Sequence, residues 1–552
     1  MKKILLTALV VSSLVACENI VGGVRTERTD SAKAEMSLTP VQRDNSITAA
    51  NAYSDIFLDS VLVDEFIKKQ ALNDTMALQL RNFYNARNYQ FAWLASDGFT
   101  EQGRGFWNLY DYHSKDSALK KFNDTLFNKK LDTLLETDSL YISANDSNFV
   151  KTELALTQQF IQYINDNNDS TSEHLQQFIP VRKTTVRQLA DSILNIQDSG
   201  QSLTLHTDSI QIFTANQQYS LLKDALRKYD SIADKGGWQP ILSTGNILKK
   251  GVSAPAVTAL KKRLQLSGDM PGKDTSQTFN DSLDLAIKNF QQRHGQKPDG
   301  IVSDSLISIM NVPVEERIKQ ILVNMNRIPW MPVLQQARLI QVNVPDYMMH
   351  VYEDTEEVFN SKVIVGKEGT NTMMFTGNMN QIVFNPYWNI PASIVQNEIM
   401  PAMKKDPNYL KKNNMEIVHQ NDSLPVIRQL PGPQNPLGKV KFLFPNSYEI
   451  YFHDSPNKYL FDQRNRAFSH GCIRIAEAQK LAEYLLKNNP EWTVDKIQAT
   501  MKSGKEQAVS LKDQVPVSIT YLTAWVDPNG QVNFRNDIYG HDARTASKMF
   551  NG

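Results

Sequence analysis

The chain has 552 residues, 41% of them hydrophobic. That is enough apolar material for several cores, and at roughly 100–200 residues per domain it argues for about three domains rather than one. Lys plus Arg and Asp plus Glu both number 59, so no global basic field is available to hold nucleic acid, and none is expected as a partner.

At the N-terminus, Lys2 and Lys3 precede an apolar run from Ile4 to Val15. The run is too short for a bilayer core, which needs about 20 residues, and has the shape of an export signal. Leu14-Val15-Ala16-Cys17 resembles a bacterial lipobox. That resemblance implies a lipoprotein signal peptide over 1–17, lipid on Cys17, and a membrane anchor on the periplasmic face of the cell envelope, with the leaflet left open. Ordinary signal cleavage after Ala16 fits less well, because Leu14 is large for a position that prefers small residues. The chain has two cysteines, Cys17 and Cys472; with Cys17 lipidated, Cys472 is the sole thiol. An unpaired thiol in an oxidising compartment is a liability that a reactive role explains.

Residues 18–48 are polar and aperiodic, as a flexible tether is. Residues 49–248 read as a helical scaffold domain, with helices over Val61 to Ala71 and Ala77 to Leu94 and with Leu78, Phe83, Tyr84, Tyr89, Phe91 and Trp93 supplying core bulk. Asn73, Asn123, Asn145 and Asn168 mark turns or helix starts. Between 249 and 312 a compact unit follows: Val257, Leu260 and Leu264 share a helical face, Leu283, Ile287 and Phe290 share another, Pro298-Asp299-Gly300 makes a turn, and Ser303 can cap a short third helix. With Phe290-Gln291-Gln292-Arg293-His294-Gly295 and Asp299-Gly300-Ile301-Val302, it resembles the three-helix peptidoglycan-binding domain of wall enzymes. The resemblance implies affinity for glycan strands or stem peptides.

Beyond Arg338 the period changes to two: Ile340, Val342 and Val344 alternate, and Lys362 to Gly366 and Lys441 to Phe444 read as further strands. The expectation is a mostly-β domain over 335–525, interrupted at about 386–438 by an insert too long for a plain connection and suited to a lid or a small subdomain. Residues 526–552 are expected as a C-terminal tail. The fold class is multidomain α+β.

A thiol attacks a carbonyl well as thiolate, so it needs a base or a positive environment. In Ile450-Tyr451-Phe452-His453-Asp454 strand alternation puts Tyr451 and His453 on one face, from which His453 can reach Cys472. Ile475, Ala478, Leu481, Ala482 and Leu485 have helical spacing, which predicts Cys472 at or just before a helix N-terminus, where partial positive charge favours thiolate. Gly471 allows a tight approach, so the amides of Gly471 and Cys472 are oxyanion-hole candidates.

Ser469-His470-Gly471-Cys472-Ile473-Arg474 resembles the signature of the L,D-transpeptidase (YkuD-like) catalytic domain, with His453 at the spacing of that family's base. Arg428 to Gly438 and Phe444-Pro445-Asn446 resemble the larger periplasmic YcbB-like branch, although Pro436 and Ser455 stand where Ala and Thr are commoner. The resemblance implies Cys472 as nucleophile, His453 as general base, and Asp454 orienting the base through its backbone carbonyl. His470 and Arg474 would shape the substrate pocket, with Tyr451 packing beside the base. It implies acyl transfer from a tetrapeptide stem through a thioester to an amine, with peptidoglycan as partner and carbapenem-type β-lactams as inhibitors, and requires neither cofactor nor metal. Three alternatives stand beside it: an L,D-carboxypeptidase or cross-link hydrolase using the same site, a zinc hydrolase with His453, His470 and Cys472 as ligands, and a non-enzymatic wall-binding lipoprotein.

Overall fold

The computed structural model describes residues 39–551 except 115–128, 130, 133, 136–139, 167–171, 196–214, 244, 246, 333–336, 355 and 421–423. The signal segment with Cys17, most of the tether, Asn123 and Asn168 lie outside the described residues. Among the described residues no helix is long and apolar enough to cross a membrane.

The first unit packs the helices Ser60–Lys69, Asp74–Asn85, Glu101–Ser114 and Ser147–Asp166 around an aromatic core that includes Phe83, Trp93, Phe106 and Phe160. Asn73 caps the second helix by accepting from the Met76 amide at 2.8 Å. That helix ends at Asn85 and does not run to Leu94 as the spacing predicts. Asn88 and Tyr89 take left-handed backbone (φ +50° and +63°), and the chain then extends so that the amides of Ala92, Trp93 and Leu94 all donate to the buried Glu153 carboxylate. Those amides are spent on a side chain from another helix, so the aromatic bulk of 89–94 enters the core on non-helical backbone.

The helices Pro255–Ser267, Asp281–Arg293 and Asp304–Met310 make the small three-helix unit. Its core holds Val257, Leu260, Leu264, Leu283, Ile287 and Phe290, and Ser303 caps the last helix.

The C-terminal unit is built on a nine-stranded sheet of β1 Arg338–Asn343, β2 Met348–Glu353, β3 Glu356–Gly366, β4 Phe375–Phe384, β5 Val440–Leu443, β6 Phe452–His453, β7 Ala467–Ser469, β8 Ile473–Ile475 and β9 Gln507–Thr520. Its order is β7-β3-β8-β6-β5-β4-β9-β1-β2, and β2 also pairs with β3, closing the sheet on itself around Ile340, Val342, Phe442, Phe452, Ile473 and Val517. The 386–438 insert leaves between β4 and β5 and folds as its own small body: strands Trp388–Asn389, Met415–His419 and Val426–Gln429 form a separate sheet over a core of Ile390, Val395, Ile399 and Ile427. The segment expected as a tail is ordered. Ala524–Val526 and Val532–Phe534 form a hairpin, and His541–Met549 is a helix; their apolar residues complete a core with the helices Ala215–Asp234 and Val314–Arg327.

Candidate active site

Strand register fixes which side chains meet. β6 lies parallel to β8 with Phe452 opposite Ile473 and His453 opposite Arg474, and antiparallel to β5 with Lys441 opposite His453. Phe442, Phe452 and Ile473 are fully buried in the barrel core. Alternation therefore turns Lys441, His453 and Arg474 to the other face, with Tyr451 and Cys472 one step further along the same rows. The sequence pattern correctly groups Tyr451 with His453, and the structure adds that the direct neighbour of Cys472 is Tyr451, with His453 on the diagonal.

The Cys472 thiol is half-buried. It faces the Glu449 carbonyl, with Sγ 3.8 Å away, and hydrogen-bonds to the hydroxyl and backbone of Tyr451. Burial lifts the thiol above its ordinary range, opposed by the Tyr451 hydrogen bonds and the Arg474 charge. Glu449 adopts φ +52°, a conformation that costs a non-glycine residue about 1 kcal/mol or more and turns its carbonyl to the thiol. Asn446 pins this loop: its Oδ1 accepts from the amides of Tyr448 and Ile450, each at 3.1 Å, and its Nδ2 donates to the carbonyls of Phe444 at 2.7 Å and Ile450 at 2.8 Å. Asn446→Ala is expected to cost about 1–3 kcal/mol and to slow alkylation of Cys472 severalfold; an unchanged unfolding midpoint with an unchanged alkylation rate would show that the loop holds without it.

His453 is 4% exposed, and burial, reinforced by the Arg474 charge, pushes its imidazole down to about 3. Nδ1 lies 2.6 Å from the Asp454 carbonyl oxygen. A carbonyl only accepts, so Nδ1 carries the proton and Nε2 is left as an acceptor. The Asp454 carboxylate is occupied elsewhere, accepting from the Lys439 amide at 3.0 Å and the Lys458 ammonium at 2.6 Å. Gly438 (φ +64°) makes room for it, since a Cβ there would lie 2.4 Å from Asp454 Oδ2.

Cys472 does not sit at a helix start. The three residues after it form β8, and the helix begins at Ala478; Ile473 and Ile475 are both buried at strand spacing, so Ile475 belongs to the period-two pattern and not to the helical run. The positive charge acting on the thiol comes instead from Arg474, and Lys441 adds its charge at His453. Arg474 Nε is buried with no hydrogen-bond partner among the described residues, a donor without an internal acceptor. Gly471 takes φ +112°. Its carbonyl accepts from Thr372 Oγ1 at 2.8 Å, and its amide donates to Ser469 Oγ at 3.2 Å, which in turn donates to the Cys472 carbonyl at 2.5 Å.

Residues 337–545 match the L,D-transpeptidase catalytic domain family, residues 253–310 a peptidoglycan binding domain family, and residues 78–226 a scaffold domain family. The chain carries an L,D-transpeptidase catalytic domain. A Haemophilus influenzae protein named as a candidate L,D-transpeptidase is 34% identical over 219 residues, covering 37% of this chain and 44% of that protein, so the match spans less than half of the relative's length. An L,D-transpeptidase structure from Mycobacterium smegmatis aligns at 12% identity over 33% of this chain and 58% of its own, TM-score 0.18. One from Stackebrandtia nassauensis aligns at 14% identity over 50% and 96%, TM-score 0.21. Overlaps this weak carry no structural argument, and the domain stands on the family match.

His470 of the L,D-transpeptidase domain is half-exposed, with Nε2 3.8 Å from Glu398 Oε1 on the insert. Among the described residues no group of three or more His, Cys, Asp or Glu is placed to hold a metal ion; His470 looks to the insert while His453 lies buried behind Tyr451. The residues that sequence reasoning missed are Thr372, Ser469, Glu398 and Glu449. Ser469 stood inside the quoted motif; the other three lie 23 to 100 positions from Cys472, with no local signal that ties them to it.

Proposed function

We propose that this chain cross-links peptidoglycan by acyl transfer through a thioester on Cys472. The observation that carries the reading is the shared face of Cys472, Tyr451, His453 and Arg474, with His453 neutral and its Nε2 free to take a proton. The donor is a stem tetrapeptide whose terminal D-alanine carboxylate pairs with Arg474. Its binding displaces the thiol from the Glu449 carbonyl toward His453, consistent with catalytic hydrogen bonds that tighten only in the substrate complex. Sγ attacks the carbonyl of the third residue as its proton passes to His453 Nε2, and the Cys472 amide, which has no internal acceptor among the described residues, donates to the developing oxyanion. The Gly471 amide is spent on Ser469 and is the weaker candidate. The C–N bond breaks, D-alanine leaves with the proton from His453, and an amine from a second stem resolves the thioester, its proton returning through His453 to the thiol.

Lipid on Cys17 and action at the periplasmic face of the envelope belong to the same proposal, with residues 18–38 as tether; the expected tether is too long at its end, because residues 39–48 pack on the scaffold, where Ile47 is fully buried and the Val41 amide donates to Asn82 Oδ1 at 2.9 Å. Purified protein incubated with tetrapeptide muropeptides is expected to release D-alanine and give cross-linked dimers by mass spectrometry. Tripeptide product without dimers would replace transfer by hydrolysis, and no product of either kind would overturn the reading.

A further inference from the structure

The strand that follows Cys472, β8, has β6 on one flank and β3 on the other. The β6 flank brings Tyr451 and His453. On the β3 flank the loop from Gly366 to Thr372 is fastened to the motif: the Lys367 amide and Thr370 Oγ1 donate to the Ser469 carbonyl at 3.0 and 3.1 Å. Buried Thr372 accepts the Gly366 amide on Oγ1 at 2.9 Å and donates from the same oxygen to the Gly471 carbonyl at 2.8 Å. Both roles are fixed, since an amide only donates and a carbonyl only accepts. Thr372 is held in turn by the C-terminal segment. The Tyr539 hydroxyl donates to the Gly366 carbonyl at 2.6 Å and accepts from the Thr372 amide at 3.3 Å. Tyr539 itself stacks on Tyr521, ring centroids 5.6 Å apart, and its amide donates to the Tyr521 hydroxyl at 2.9 Å.

Peptide geometry turns this brace toward the chemistry. The Gly471 carbonyl and the Cys472 amide belong to one planar unit, and in a trans peptide C=O and N–H point in opposite directions. A hydroxyl that grips the carbonyl from the loop side therefore aims the N–H away from the loop, where it has no acceptor among the described residues. Without the grip the unit could swivel, because Gly471 at φ +112° has no Cβ, and one built there would meet nothing closer than 3.7 Å; glycine backbone gives little resistance of its own. The hydrogen bond to the carbonyl also polarises the unit and strengthens its N–H as a donor.

We propose that Thr372 and Tyr539 are positioning residues for the oxyanion: the threonine hydroxyl sets the aim of the Cys472 N–H, and the tyrosine hydroxyl sets the threonine. This assignment rests on the acyl-transfer reading above and adds what holds its oxyanion donor in place. It also gives the ordered C-terminal segment a part in catalysis, through a residue 67 positions beyond the nucleophile (539 − 472).

The test compares two reactions of the thiol in the full chain. Acylation by a carbapenem-type β-lactam forms an Sγ–C bond at a carbonyl and breaks the ring C–N bond, the nitrogen taking the thiol proton, by way of an oxyanion. Alkylation by iodoacetamide displaces iodide from a saturated carbon and forms no oxyanion. Removing an oxyanion donor outright costs about 10²–10³-fold, so Thr372→Val, which leaves the donor but frees its aim, is expected to slow acylation about 10–100-fold and to keep alkylation at the same pH within about twofold of wild type. Thr372→Ser, which retains the hydroxyl, restores acylation to within about threefold. Tyr539→Phe keeps the ring stack and slows acylation about threefold to tenfold, the scale of one hydrogen bond, again sparing alkylation. Acylation unchanged in both Thr372→Val and Tyr539→Phe, or falling in step with alkylation in both, overturns the proposal. A wild type that is acylated yet forms no dimers from muropeptides overturns the transpeptidase reading instead, while the ratio of the two rates still decides the brace.

Discussion

Cys472→Ala is expected to abolish acyl-enzyme and dimer formation outright, and His453→Gln to slow acylation by about 10²–10⁴-fold, the usual weight of a positioned general base. Intact-mass spectrometry with a carbapenem-type β-lactam reads both, since the adduct sits on the only thiol among the described residues. The resting electrostatics add a pH signature. Burial raises the thiol and holds His453 at about 3, so the free enzyme keeps a neutral thiol beside a neutral imidazole and not a thiolate–imidazolium pair. Alkylation by a neutral reagent should therefore rise steadily with pH and show no inflection near the ordinary histidine value of about 6.5. Arg474→Gln removes a positive charge, which moves both groups upward: the thiol becomes harder to ionise and the imidazole easier to protonate. A histidine-like inflection in the wild type, or adduct formation by Cys472→Ala, would contradict the mechanism.

Where the sequence spoke clearly, it spoke through periodicity. The alternation of Ile450 to His453 put Tyr451 and His453 on one face because a strand allows only two, and the helical spacing of Leu283, Ile287 and Phe290 located the small unit's core. The error over Cys472 came from a shared residue: Ile475 fits a helical run with Ala478 and Leu481, yet also alternates with Ile473, and the parallel pairing of β8 with β6 decided for the strand. Glu153, whose carboxylate overrides the helix pattern of 89–94, lies some sixty residues away and leaves no local trace. The same holds for Thr372 beneath Gly471 and for Glu398 against His470. The ordered C-terminal hairpin and helix were missed because their apolar residues are few and find their partners on helices more than 180 residues upstream.

The last of those partnerships carries the largest expected effect on stability. Arg327 is 5% exposed and joins three distant segments. Its Nε and Nη2 donate to both oxygens of Glu101 at 2.7 and 3.2 Å, and its Nη1 donates to the Tyr521 carbonyl at 2.7 Å and to Asp542 at 3.1 Å. Glu101 starts a scaffold helix, Tyr521 follows β9, and Asp542 belongs to the C-terminal helix, so one guanidinium locks the scaffold to the catalytic barrel. Against the cost of burial, the Arg327 charge and hydrogen bonds hold Glu101 down to about 2, whereas burial pushes Asp542 up to about 6 despite the same cation. One positive charge cannot fully neutralise two carboxylates, and Glu101 has the bidentate contact. Glu101, depressed by folding, contributes stability above its unfolded value of about 4.5 that is lost as pH falls toward 2. Asp542, raised by folding, contributes below about 4 and loses that contribution as pH rises through 6. Arg327→Met strands both acids and should cost about 3–5 kcal/mol at neutral pH. The deficit should shrink toward pH 5, because both carboxyls, now raised further, can be protonated there. Denaturant midpoints at about pH 5 and pH 8 check this. A deficit below about 1 kcal/mol, or one larger on the acid side, would show that the barrel and scaffold hold together without this ion cluster.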